Sequence, residues 1–249
     1  MSAVVDQAVL EGPAFQHIPP GVKVKLRPLA IEKIQAVYDW VENECIPREP
    51  VMAAQVEDKK WATPPLMKEL RERAKARGLF NLFLPNTFQD SPGLTNLEYG
   101  CCAEIMGRCY WAAQTMNCHA PETGNIELLA KYCSDEQKKR WLKPLLEGTS
   151  SSAYSMTEPS VATSDATNVG ISIKKEGNEY VVNGRKLYSN CLWVSYQTAE
   201  FLRIQSFALT ESSRTKTLTS TSSWAALIWR TPTSGAVIPC SLSLATVLA

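Results

Sequence analysis

The residues best suited by type and spacing to do chemistry lie in one short run, Tyr154-Ser155-Met156-Thr157-Glu158-Pro159-Ser160-Val161-Ala162-Thr163-Ser164-Asp165. Hydroxyls recur through it, and each can both donate to and accept from a polar ligand without bringing a charge. The same composition also ends ordinary strands and opens ordinary loops. Residue types alone favour that plainer reading, so the run needs a context before it can be called a site.

Other chemistry is scarce. Two histidines, His17 and His119, leave little room for a zinc site or a Ser-His nucleophile, and His119 sits in the loop-like stretch "NCHAPETGN" as a structural or exposed residue. Eight cysteines are present, at 45, 101, 102, 109, 118, 133, 191 and 240, but none forms a C-x-x-C pair. They read as reduced, mostly buried thiols of an intracellular protein, and no metal site is expected.

The formal charge of +1 gives no electrostatic reason for binding nucleic acid or an acidic membrane surface. No apolar run reaches the roughly 18–20 residues of a membrane-spanning helix. The first twenty residues carry two acids and no Lys or Arg, and the C-terminus "ATVLA" is not a peroxisomal tripeptide. No targeting signal is therefore expected in this chain. Its 249 residues, 45% of them hydrophobic, suffice for one large or two ordinary domains.

The elements that would position the hydroxyl run fall into two kinds. Before it, apolar residues recur at steps of three and four. Ile31, Ile34, Val37, Val41 and Cys45 form a stripe ending near Pro47. Thr63 is a candidate N-cap for a second helix whose apolar face is Leu66, Met67, Leu70 and Ala74, with Gly78 as its stop. A third helix is predicted from Leu97 to Met116, with Leu97, Cys101, Ile105, Cys109 and Ala112 on one side, and a short fourth over Gly124 to Cys133. The fifth opens on the capping box Ser134-Asp135-Glu136-Gln137. It buries Trp141, Leu142, Leu145 and Leu146, and Pro144 is expected to break its last turn. The basic face "KELRERAKAR" reads as solvated surface.

After Gly148 the period changes to two. Val169, Ile171 and Ile173 alternate, a turn is expected at Glu176-Gly177-Asn178, and Tyr180-Val181-Val182 resume before a second turn at Asn183-Gly184. From about residue 190 neither period persists. The last 59 residues hold 19 Ser and Thr but one glycine, Gly235, too few for a string of β turns. Trp193, Trp224 and Trp229 do not suit a plain linker either.

Six strings, in order and at family spacing, carry a resemblance. They are "GLFNLFLP" (Gly78–Pro85), "GLTNLEYG" (Gly93–Gly100), "NCHAPETGNIELLAKY" (Asn117–Tyr132), "RWLKPLLEG" (Arg140–Gly148), "YSMTEPSVATSDATN" (Tyr154–Asn168) and "YVVNGRKLYS" (Tyr180–Ser189). Through them the chain up to about Ser189 resembles the acyl-CoA dehydrogenases, in particular the branch of family members ten and eleven. The resemblance implies an N-terminal helical domain, a middle β-barrel and a C-terminal four-helix domain, with FAD between the last two and a fatty acyl-CoA entering beside the flavin. It also implies subunits paired as dimers or tetramers, and an electron-transferring flavoprotein as a possible acceptor.

Carried over residue by residue, the resemblance places Tyr154, Ser155, Met156 and Thr157 along the flavin edge, with Thr157 offering its hydroxyl and amide. Thr163 and Ser164 belong to the loop that approaches the flavin, and Ser164 also meets the acyl-CoA. Here the loop is one residue longer than the common T-E-P-G-A-G-S-D form. Tyr188 stands where many members have Trp, followed by Ser189 as a further cofactor contact. The family takes its catalytic glutamate from the C-terminal helices, so no catalytic residue is assigned here, and Glu158 is not given that role.

The expected fold class is α+β: the family's N-terminal helical domain and the first strands of the middle barrel, without the C-terminal four-helix domain. The expected boundaries are an extension over 1–27, the helical domain over 28–150, the start of the β domain over 151–190, and a tail unrelated to the family over 191–249. The expected function is that of a truncated FAD-dependent acyl-CoA dehydrogenase of fatty acid β-oxidation, mitochondrial or peroxisomal by family, with little or no activity of its own. The rival expectation is a non-enzymatic helical adaptor that pairs with full-length subunits.

Overall fold

In the computed structural model of the chain, residues 8–57, 63–152, 154, 156–176, 179–185 and 203–204 are described. They contain helices α1 (Pro20–Lys23), α2 (Pro28–Trp40), α3 (Glu49–Ala54), α4 (Pro65–Ala76), α5 (Asn96–Met106), α6 (Ala112–Thr115), α7 (Glu122–Tyr132), α8 (Asp135–Gln137) and α9 (Lys143–Leu146), and strands β1 (Ser172–Glu176), β2 (Glu179–Arg185) and β3 (Arg203–Ile204). By packing the chain divides into two units, Met1–Thr123 and Gly124–Ala249.

In the first unit the predicted stripe of α2 is the core: Ile31, Ile34, Val37, Val41 and Cys45 are all buried, together with Trp40. A helix with apolar residues at this spacing gains about 1.5–3 kcal/mol for each large side chain it hides. The buried face of α2 meets α5, while α4 meets α3 and α6. On α4 Met67, Leu70 and Ala74 are buried as their spacing predicts, while Leu66, expected on the same face, is only half-buried.

The helix of α2 does not stop at Pro47. That proline has no N–H for the Asn43 carbonyl, and its ring would crowd it. A π-helical turn over Val41–Cys45 absorbs the mismatch, closed by Ile46 N–H donating to Val41 O. Arg48 Nη1 then donates to the Asn43 and Glu44 carbonyls at 3.1 and 3.2 Å, and the chain continues through a 3₁₀ turn into α3. Pro144 is accommodated in the same way. A π-helical turn over Lys138–Leu142, with Lys143 N–H donating to Lys138 O, carries the helix on to Leu146.

Three further expectations are corrected. The cap of α4 is not Thr63; the helix starts on Pro64-Pro65, and Gln55 Oε1 from another segment accepts the Leu66 N–H at 3.0 Å. The third helix ends at Met106 with Gly107 as C-cap, α6 is separate, and Leu97 is 47% exposed rather than inward. Gly78 is the stop foreseen for α4: at φ +66° it is left-handed, and Leu79 N–H returns to Ala74 O at 3.0 Å.

Buried polar groups join these helices. Glu44 receives Arg48, Arg73 and Arg77, and the guanidiniums of Arg73 and Arg77 lie over the Trp40 ring at 5.8 and 5.0 Å. Trp40 Nε1–H donates to Thr115 Oγ1 at 2.9 Å, and that hydroxyl donates to Ala112 O at 2.7 Å.

In the second unit the Ser134–Gln137 capping box forms as predicted. Leu142 and Leu145 are buried, while Trp141 and Leu146 are only half-buried. β1 and β2 pair antiparallel, Ser172 opposite Asn183 and Glu176 opposite Glu179, and β3 adds Ile204 opposite Gly184. The chain therefore reverses between Glu176 and Glu179, the interval in which a turn is expected. Asn183-Gly184 is not a turn: both residues lie inside β2, paired on either side.

Candidate functional site

The hydroxyl run begins with Tyr154, half-buried in a single β bridge; Met156 and Thr157 lie outside any helix or strand, and a loop follows over 159–169. Met156 is 37% exposed, Thr157 is half-buried, Thr163 is buried and Ser164 is exposed. Among the described residues neither the Thr157 nor the Ser164 hydroxyl has a hydrogen-bond partner. Ser155, Tyr188 and Ser189 lie outside the described residues.

Two carboxylates shape the loop. Asp165 caps the 3₁₀ turn Ala166–Asn168, accepting the Thr167 N–H at 3.0 Å and its hydroxyl at 2.6 Å. Those hydrogen bonds hold the Asp165 carboxyl below its ordinary value. Glu158 is the residue sequence reasoning passed over. Its side chain is buried at 7% exposure, where Oε2 accepts the Gly170 N–H at 2.7 Å and Oε1 the Ile171 N–H at 3.1 Å. A signal for it existed: Gly170, at the far end of the loop, leaves room for a carboxylate against its backbone. A Cβ there would stand 3.1 Å from Glu158 Oε2. Behind the run, Asn125 Nδ2–H donates to the buried Ser152 Oγ at 2.8 Å.

What this arrangement can do is limited and specific. Among the described residues it presents two uncommitted hydroxyls, of Thr157 and Ser164, and a partly exposed thioether beside a loop closed by a buried carboxylate. That suits a flat ligand with carbonyl and ring-nitrogen acceptors. It does not supply a proton acceptor, because both Glu158 oxygens are held by backbone amides.

The first unit holds a second polar group of residues. Arg71 donates to Gln114 O at 2.6 Å and Asn117 Oδ1 at 2.9 Å, and Asn117 Nδ2–H donates to Asn81 Oδ1 at 2.6 Å. Both asparagines are left-handed, at φ +58° and +55°. His119 Nε2 lies 3.2 Å from Glu122 Oε2, yet burial, and then the Arg71 charge, push the imidazole down to about 4. The shift favours the neutral imidazole on this half-buried ring. A groove of about 300 Å³ in the same unit is lined by His17, Tyr38, Glu104 and Arg108, but Arg108 is paired with Glu42 and His17 with the Cys101 carbonyl.

The six described cysteines are free and buried, and among the described residues no group of three His, Cys, Asp or Glu could hold a metal ion. No helix of the described residues is long and apolar enough to cross a membrane.

Comparison with known proteins gives this geometry a context. The sequence model of the acyl-CoA dehydrogenase N-terminal domain matches residues 32–149. Acyl-CoA dehydrogenase family member 10 of Mus musculus is 43% identical over 179 residues, covering 69% of this chain and 16% of that protein. Family member 11 of Gallus gallus is 50% identical over 133 residues, 53% of this chain and 17% of that protein. A solved structure described as an acyl-CoA dehydrogenase from Mycobacterium abscessus superposes with TM-score 0.60 at 44% identity, covering 64% of this chain and 42% of that one. Glutaryl-CoA dehydrogenase from Mycobacterium smegmatis, at TM-score 0.50 and 19% identity over 68% of this chain and 41% of its own, shows the shared fold alone. The chain spans less than half the length of each of these relatives. Its residues 32–149 are an acyl-CoA dehydrogenase N-terminal domain, and through them the chain belongs to the acyl-CoA dehydrogenase family.

Proposed function

We infer that the chain serves FAD-dependent α,β-dehydrogenation of a fatty acyl-CoA, contributing the helical domain and the residues that hold one edge of the flavin. The observation that carries this reading is the segment at Thr157 and the loop that follows it. Its hydroxyl is uncommitted among the described residues, Met156 is exposed beside it, and the loop bearing Ser164 is closed by Glu158. FAD, when bound, supplies the hydride acceptor. An edge that gains negative charge on reduction is favoured by fixed hydrogen-bond donors, and Thr157 offers both its hydroxyl and its amide. Ser164 donates toward cofactor and thioester, and Tyr154 gives the edge an apolar wall with a polar tip. Tyr188 and Ser189 complete the cofactor set by family resemblance.

Glu158 is not the base for the α-proton, since its two oxygens each accept a backbone N–H. In the family that base is a carboxylate of the C-terminal helices. An electron-transferring flavoprotein as acceptor, assembly as a dimer or tetramer, continuation of the strands into a barrel, and a mitochondrial or peroxisomal location in fatty acid β-oxidation belong to the same proposal and rest on family resemblance.

The test is FAD fluorescence quenching on titration with the whole chain, for wild type and Thr157→Ala. Saturable quenching weakened by the substitution supports the reading, and its absence in wild type overturns it. A second reading, a helical adaptor for full-length subunits, is favoured by one fact: Met1–Thr123 forms a unit with its own core. It predicts co-purification with a full-length acyl-CoA dehydrogenase without any flavin quenching.

A further inference from the structure

We propose that Glu158 is a positioning residue for the flavin-edge site: its buried carboxylate clamps the Gly170 and Ile171 amides and so fixes Thr157 and the Ser164 loop relative to each other. The inference rests on the flavin reading given above and assigns a role to a residue that reading leaves without one.

The geometry carries it. Glu158 follows Thr157 directly, so any displacement of its backbone moves the Thr157 hydroxyl and amide. Its side chain crosses to the opposite end of the loop, where Gly170 and Ile171 lie 12 and 13 positions further along the chain. One oxygen meets each N–H, at 2.7 and 3.1 Å, which uses the two-oxygen fork of an ionised carboxylate as an acceptor for adjacent donors. The intervening loop carries Thr163 and Ser164. The clamp ties the two ends of that loop together, so that less of the placement the ligand needs has to be ordered on binding at a cost in entropy. With it, the Thr157 and Ser164 ends are set before the ligand arrives.

The contact also explains two sequence features that the hydroxyls do not. Burial of Glu158 is unexpected for an acid beside a ligand loop, because an ionised carboxylate enters a low-dielectric site only when its lone pairs are met. Gly170 does not need a left-handed backbone here; what it needs is space. A methyl at that position would stand 3.1 Å from the pinned Glu158 Oε2, closer than such atoms comfortably approach. Carboxylate and glycine are two halves of one device.

Two substitutions address the contact from opposite sides. Glu158→Gln keeps the shape but turns one acceptor into an NH₂ donor facing a backbone donor, while Gly170→Ala leaves the carboxylate intact and crowds it with a Cβ 3.1 Å from Oε2, so that it must shift by a few tenths of an ångström against its amides. The full chain is used throughout. Amide hydrogen exchange at Gly170 and Ile171 reads the clamp without any flavin, and FAD fluorescence quenching reads its consequence. Both variants are expected to exchange these two amides at least about tenfold faster and to bind FAD about tenfold more weakly. The exchange of amides in the first unit should stay unchanged. Glu158→Asp, one methylene shorter but still a carboxylate, should recover part of both effects.

Unchanged exchange at Gly170 and Ile171 in Glu158→Gln would overturn the clamp. Faster exchange with unaltered FAD affinity would reduce Glu158 to a loop staple and overturn its positioning role. If wild type binds no FAD, the flavin reading and the positioning role fall together. The exchange data then show whether a clamp without that ligand remains.

Discussion

Arg27 and Glu98, 71 positions apart, join the first turns of two helices into one hydrogen-bonded unit. Arg27 is the N-cap residue of α2, and its Nε donates to Glu98 Oε1 at 2.7 Å while its Nη2 reaches the Gly93 carbonyl at 2.6 Å. Glu98 is the third residue of α5, and its Oε2 also accepts the Thr95 N–H at 2.8 Å, closing the capping box. The string "GLTNLEYG" is therefore a structural joint of the helical domain.

This joint should be acid-sensitive. Burial by itself would raise the Glu98 pKa, but the Arg27 guanidinium and the Thr95 donors outweigh it and hold the carboxyl at about 2. A folded-state pKa below the unfolded value of 4.5 means the stabilisation is full above that pH and is lost as pH falls toward 2. Glu98→Gln should cost about 1.5–3 kcal/mol at neutral pH. Thermal midpoints measured from pH 7 down to 2.5 should then fall less steeply for the variant than for wild type.

The Trp40 indole tests the core. Thr115→Val preserves volume but removes the acceptor for a fully buried N–H, and should destabilise the fold by about 1–3 kcal/mol. Thr115→Ser keeps the acceptor and should cost less. Urea midpoints with an unchanged slope would confirm the loss; equal midpoints for Val and wild type would refute it.

His119 predicts a second pH effect of distinct origin. Its pKa is pushed down to about 4 from 6.5, first by burial and then by Arg71. The folded state resists protonation, so this contribution to stability declines as pH falls from 6.5 through 4 and is flat above that window. The imidazole Cε1–H resonance should titrate near pH 4. A midpoint near 6.5 would contradict this half-buried placement near Arg71, and His119→Gln should remove this part of the acid slope.

The described cysteines should be inert in the native chain. Burial pushes the thiols of Cys45, Cys102 and Cys118 up to about 12 and that of Cys133 to about 11, which leaves almost no thiolate at pH 8. Iodoacetamide labelling followed by peptide mapping should modify these four slowly in native protein and promptly after denaturation. Fast native labelling of Cys118 would contradict its placement.

Much of the helical domain was legible because an amphipathic helix writes its burial into its own spacing. The stripes of α2 and α4, the Gly78 stop and the Ser134–Gln137 box all depend on residues within a few positions of one another. Boundaries were less legible where a remote segment intervenes. Gln55 takes the place of Thr63 at the start of α4, and Arg48 takes the carbonyl that Pro47 leaves open, so a proline that ends an isolated helix is here absorbed in a π-helical turn. Asn183-Gly184 misled for a related reason. A turn dipeptide has only a local preference, and pairing with Ser172 on one side and Ile204 on the other overrides it.

For the candidate site the division is sharper. The order and spacing of the six strings determined the family, and with it the expectation that Thr157 and Ser164 face a flavin. No pattern within "TEPSVATSD" says where the Glu158 side chain goes. That was decided by a loop closing on itself, which brings the Gly170 and Ile171 amides to a carboxylate 12 and 13 positions earlier in the chain. Local periodicity encodes which face of an element is buried. Which donor meets which acceptor across a loop depends on three-dimensional closure, and only the tertiary structure could assign Glu158 to the Gly170 and Ile171 amides.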